Sequence, residues 1–67
     1  MHSFTLNGLE QELRPGMTVA DLVRELALAG KRIAVERNGD IIPRGLHQAT
    51  PISAGDRLEI VVAVGGG

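Results

Sequence analysis

An α+β fold, with a mixed sheet of four to five strands and one main helix packed on one face, is predicted by three observations. Asn7-Gly8 and Asn38-Gly39 each sit between two short alternating segments, the strongest local signal for a hairpin. One stretch only, 18–30, has the apolar spacing and end signals of a helix. The last segment, 57–64, alternates with Leu58, Ile60, Val62 and Val64 on one face, which predicts the strongest strand of the chain.

The elements follow in order. Residues 2–6 alternate, Phe4 and Leu6 facing one way and Ser3 and Thr5 the other. Both central residues of a type I′ turn need positive φ, which Asn7-Gly8 tolerates. Residues 9–14 return as a second strand with Leu9, Gln11 and Leu13 on one face; Gln11 suits an edge position. Pro15-Gly16 ends the hairpin. Thr18 is an N-cap, and Asp21 lies in the first helical turn, where the helix dipole favours an acid. Val19, Leu22, Val23 and Leu26 follow i, i+3, i+4, i+7 spacing and define the buried helix face. Gly30 is expected at C′, with Lys31 and Arg32 at the negative helix end. Ile33 and Val35 point inward from a strand over 33–37. Asn38-Gly39, or Gly39-Asp40, turns the chain into a short strand at Ile41-Ile42, stopped by Pro43. The pattern is lost from 44 to 51, a loop with one helical turn over 46–49. Ala54-Gly55-Asp56 is a turn into the last strand.

Composition excludes several functions. The chain has 67 residues, enough for one domain with a modest core. With no cysteine, neither a disulfide framework nor a thiolate zinc site can form. A net charge of −1 argues against a nucleic-acid binder, whose affinity rests on phosphate neutralisation. The single aromatic, Phe4, offers no stacking platform for bases. His2 and His47 are far apart in sequence, so no metal site is expected. No nucleophile–base pair stands out, and the chain is too small for a substrate pocket of a few hundred Å³; an enzyme is not expected. No apolar run approaches the roughly 20 residues of a membrane span. The first residues lack the basic and apolar regions of a signal peptide, so the expected compartment is the cytoplasm.

The order β-β-α-β-β-loop-β places two hairpins around one amphipathic helix. The first and last strands can then meet at the sheet centre only as a parallel pair. A second long helix before the last strand is excluded by Gly45 and Pro51. This is the β-grasp, or ubiquitin-like, architecture. Residues 1–64 form the expected domain and 65–67 a flexible glycine tail. Glycine lacks a Cβ and adopts almost any backbone conformation, so Gly65-Gly66-Gly67 can thread a slot too narrow for other residues.

The whole sequence resembles the ThiS family, the sulfur carrier proteins of thiamin biosynthesis. Four stretches carry the resemblance: the opening strand into Leu6-Asn7-Gly8; Pro15-Gly16-Met17-Thr18-Val19-Ala20-Asp21-Leu22; Ile33-Ala34-Val35-Glu36-Arg37-Asn38-Gly39-Asp40-Ile41-Ile42-Pro43-Arg44; and Gly55-Asp56-Arg57-Leu58-Glu59-Ile60-Val61 leading to the glycines. The third stretch separates this family best from other ubiquitin-like carriers. The chain departs in ending on three glycines where many relatives have two, which moves the terminal position to Gly67.

The resemblance implies a protein cosubstrate rather than an enzyme. An E1-like adenylating enzyme would activate the Gly67 carboxylate with ATP. A persulfide donor would convert it to a thiocarboxylate, and thiazole synthase would take the sulfur. No cofactor would be bound; the only modifications would be 1-thioglycine at Gly67 and a transient AMP adduct. Gly65 and Gly66 would thread the partner's channel. Val61 and Ala63, on the sheet face away from the helix, are the expected docking patch with Ala34. Val64 could line the partner channel or complete the core, and Arg44 could pair with a partner or cap its loop. The free chain is expected to be a monomer. Two alternatives share these features: a sulfur carrier for molybdopterin, cysteine or tRNA thiolation, and a ubiquitin-like binding module in which the glycines are dispensable.

Overall fold

The computed structural model describes residues 2–63. The order is β1 (Ser3–Leu6), β2 (Leu9–Glu12), α1 (Val19–Glu25), β3 (Ile33–Arg37), β4 (Asp40–Ile42), a 3-10 turn (Arg44–Leu46) and β5 (Arg57–Val62). The five strands form one mixed sheet in the order β2-β1-β5-β3-β4. β5 is central, parallel to β1 and antiparallel to β3. This is the expected β-grasp arrangement, with α1 across one face.

Both Asn-Gly turns form as the sequence requires. Asn7 and Gly8 have φ of 50° and 85°, and Asn38 and Gly39 have 53° and 90°. Phe4, Val35, Leu58 and Ile60 face the helix from the sheet, and Val19, Leu22 and Val23 face the sheet from α1; all are buried. Met17 and Ile52 close the core where the loop before β5 crosses the start of the helix. Three backbone bonds make that crossing: Val19 N–H to Thr50 O at 2.9 Å, Ala20 N–H to His47 O at 3.0 Å, and Ile52 N–H to Met17 O at 2.9 Å.

α1 begins with a capping box. Asp21 N–H donates to Thr18 Oγ1 at 3.2 Å, and Thr18 N–H donates to Asp21 Oδ2 at 2.9 Å. The Thr18 backbone bond is the main reason that the Asp21 carboxyl is held below its ordinary value.

The helix ends earlier than its spacing predicts. Its C-cap is Leu26, which is 39% exposed rather than buried. Ala27, not Gly30, takes the left-handed C′ position at φ 59°. Ala27 N–H bonds Arg24 O and Leu28 N–H bonds Val23 O, both at 3.0 Å, the two bonds of a Schellman motif. The early stop turns Leu28 back onto the core. Gly30, at φ 82°, serves a separate turn closed by Lys31 N–H on Leu28 O at 3.0 Å.

Three smaller features concern the ends of elements. A 3-10 turn at Arg44–Leu46, started by the Pro43 carbonyl accepting from Leu46 N–H at 2.9 Å, runs into the expected turn over 46–49, which Ala49 N–H closes on Leu46 O at 3.1 Å. Leu9 is 68% exposed at the turn end of edge strand β2. β5 ends at Val62, opposite Ile33 where β3 begins.

Candidate functional site

The site begins with how β5 is held, because β5 carries the chain toward the glycines. Two turn asparagines clamp it from opposite sides. Asn7 Nδ2 donates to Ile60 O at 3.2 Å, and Ile60 N–H donates to Asn7 Oδ1 at 2.9 Å. The side chain thus continues the β1–β5 ladder beyond the end of β1. On the other side, Arg57 N–H donates to Asn38 Oδ1 at 2.8 Å. Sequence reasoning assigned both asparagines to turn chemistry alone. Their second role was hidden because positive φ already explains an Asn at each place.

Asp56 anchors the start of β5 and is buried. Its carboxylate accepts from Ser53 N–H and Arg37 Nε, both at 2.7 Å, and from Asn38 Nδ2 at 3.0 Å. Burial opposes ionisation, but the Ser53 N–H, the Arg37 guanidinium and the Asn38 amide outweigh it, and the carboxyl lies below its ordinary value of 3.8. This hub was also missed: Gly55-Asp56 reads in sequence as a turn.

The expected docking residues divide clearly. Val61 is 64% exposed on the sheet face away from α1, and its cross-strand partner is Ala34, also exposed. Ile41 lies opposite Glu36 on the same face and is 61% exposed. Val61 and Ala34 therefore form an apolar pair across β5 and β3, with Ile41 diagonal to Ala34 in the row of Glu36 and Glu59; Ile41 was not anticipated. Ala63 is exposed past the end of β5, and its N–H bonds Arg32 O at 2.9 Å. Arg44 is exposed at the same end of the molecule, its Nη2 donating to Lys31 O at 2.6 Å. It belongs to the surroundings of the tail root, not to the sheet-face patch. Val64, Gly65, Gly66 and Gly67 lie outside the described residues.

His47 is buried, with Nε2 donating to Ile42 O at 3.1 Å. That bond ties β4 to the following loop and accounts for the residue structurally. Among the described residues no group of three or more His, Cys, Asp or Glu side chains could hold a metal ion. No helix among them is long and apolar enough to cross a membrane.

A five-stranded mixed sheet with a central parallel β1–β5 pair and one helix across its face defines a β-grasp, ubiquitin-like protein. The sequence model of the ThiS family matches residues 3–67, and the chain belongs to that family. A crystal structure of the thiamine biosynthesis protein ThiS from Geobacter metallireducens superposes with a TM-score of 0.78 at 29% identity, over 97% of this chain and 99% of that one. The thiazole synthase of Paramagnetospirillum magneticum is 40% identical over 62 residues, 92% of this chain. The chain spans only 19% of that protein's length. The ycf40 protein of Porphyra purpurea is 32% identical over 65 residues, 97% of this chain and 92% of its own length.

Proposed function

We propose that this protein is a sulfur carrier in thiamin biosynthesis, charged and discharged at the carboxylate of Gly67. The observation that carries the reading is the family match running through the glycines, residues 3–67, on a fold whose clamped central strand leads to them. An α-carboxyl has a pKa of roughly 3.3–3.7, so it is ionised at neutral pH. As an anion it is a poor electrophile and a competent nucleophile toward the α-phosphorus of ATP. Its attack expels pyrophosphate and leaves an acyl adenylate. A persulfide sulfur then adds to the carbonyl carbon and AMP leaves. A thiol cleaves the resulting S–S bond, leaving the thiocarboxylate on the carrier and a disulfide on the donor. Thiazole synthase accepts that sulfur.

The carrier contributes presentation, not catalysis; positioning and charge stabilisation belong to the partner pockets. The absence of cysteine suits this role, because no internal thiol can intercept the activated acyl group. The Val61–Ala34–Ile41 patch, continued toward Ala63, is the docking face for the adenylating enzyme.

Deleting Gly66 and Gly67 separates this reading from that of a binding module. A carrier loses all sulfur transfer, whereas a binding module keeps its affinity for its partner. A finer test is Gly66→Val. It leaves the fold intact and abolishes ATP–pyrophosphate exchange with the adenylating enzyme, since a Cβ blocks the slot. Unchanged exchange would remove the threading argument.

A further inference from the structure

A groove of about 370 Å³, larger than expected of so short a chain, opens between the end of α1 and the 3-10 turn. Val23, Leu28 and Ile33 give it apolar walls, and Arg24, Lys31 and Arg44 supply its charge. Arg24 is already paired with Asp21 on the helix. Lys31 and Arg44 have no carboxylate within ion-pair distance among the described residues. The helix dipole does not account for both, because its influence fades within the last turn and both lie outside α1. The Arg44 guanidinium is held by the Lys31 backbone carbonyl at 2.6 Å, which anchors Arg44 against the segment that carries Lys31. The next carbonyl along the chain, that of Arg32, accepts from Ala63 N–H at 2.9 Å. The cationic groove therefore adjoins the place where the chain leaves β5 for the glycines.

We infer that this groove is a second contact surface for the enzyme that takes the tail: it receives a carboxylate-bearing segment, an acidic side chain beside an apolar one, at the mouth of thiazole synthase's tail channel. The inference rests on the carrier reading above. A channel that encloses the four residues after Ala63 is about 13–14 Å deep at 3.3–3.6 Å per extended residue. Full insertion presses its rim against whatever surrounds the root. Among the described residues Lys31, Arg44 and the neighbouring Arg32 have no ion-pair partner at the root; these cations select an acidic rim, and the Leu28–Ile33 wall accepts an apolar neighbour. Thiazole synthase is the chosen occupant because thiazole synthases from two organisms contain a segment similar to this chain, so the two units are built to act at close quarters.

The test is calorimetric titration of the full chain into the thiazole synthase of the same organism, at low and raised salt. Lys31→Gln/Arg44→Gln weakens binding about tenfold at low salt and flattens its salt dependence, with an unchanged melting temperature. Arg14→Gln, a single loss of charge beside Glu25 at a distance from the groove and matched to Lys31→Gln alone, leaves the affinity unchanged. Should the double variant lose stability, Lys31→Gln carries the test, since that side chain makes no hydrogen bond among the described residues, and it weakens binding severalfold. Undiminished affinity and salt dependence in a folded variant would overturn the groove assignment and leave the carrier reading standing. No binding by the unaltered chain, together with no sulfur transfer, would overturn both.

Discussion

Asn7 meets two demands at one position. Its backbone tolerates the positive φ of the first hairpin turn, and its amide both donates to and accepts from Ile60. Aspartate would satisfy the first demand and not the second, having no donor when ionised. Ala27 is the opposite case, a Cβ-bearing residue at φ 59°. The left-handed region costs such a residue about 1–2 kcal/mol. Ala27→Gly is accordingly expected to raise stability by about 1 kcal/mol, net of the added unfolded-state entropy; chemical denaturation measures it. Asp56 holds three donors in a buried position, and Asp56→Ala leaves all three without that acceptor. The expected loss is about 2–3 kcal/mol at neutral pH. Because the folded carboxyl lies below its ordinary value of 3.8, its contribution is present above that pH and is lost as pH falls through the folded value. The stability gap between wild type and Asp56→Ala therefore narrows on acidification below 3.8. A gap that stayed constant would mean that the carboxylate is not the stabilising species.

At the scale of elements, short-range chemistry was legible where a single residue type decides. The two Asn-Gly turns, the Thr18 cap and the alternation of β5 needed no tertiary information. The end of α1 did need it. Gly30 carries the usual signal of a C′ residue, but the chain turns at Ala27 and packs Leu28, partly buried, against the core, so packing prevails over local preference. The exposure of Leu9 was hidden as well, since alternation assigns a face and cannot show whether that face is covered. The buried face of α1 makes a quantitative claim. Leu22 is 4% exposed in the core, and Leu22→Ala is expected to cost about 2–5 kcal/mol. Thermal unfolding reads this directly, and a melting temperature that hardly moved would contradict the helix register. Leu26→Ala, at 39% exposure, gives an internal comparison with a smaller loss.

For the whole molecule, one topological choice connects fold to function. The parallel β1–β5 pair places the last strand at the sheet centre, gripped on both edges. A strand held this way gives the residues after it a fixed point of departure, which the proposed delivery of the tail into partner pockets requires. That arrangement was legible because β-β-α-β-β-β connectivity with one helix leaves few alternatives. The apolar patch was half legible: Val61 and Ala34 followed from alternation, while Ile41 needed the β3–β4 register. The cationic surroundings of the root were least legible, because Lys31 and Arg44 are distant in sequence and meet only through the Lys31 carbonyl. A sulfur carrier is changed covalently at Gly67, and intact-protein mass spectrometry reads that change most directly. The native chain is incubated with ATP, the E1-like adenylating enzyme and a persulfide donor, with a known carrier as a control for partner activity. The expected result is a mass gain equal to one sulfur replacing one oxygen, located by fragmentation to Gly67. An unchanged mass, with the control carrier charged, would contradict the carrier role and leave a β-grasp binding module.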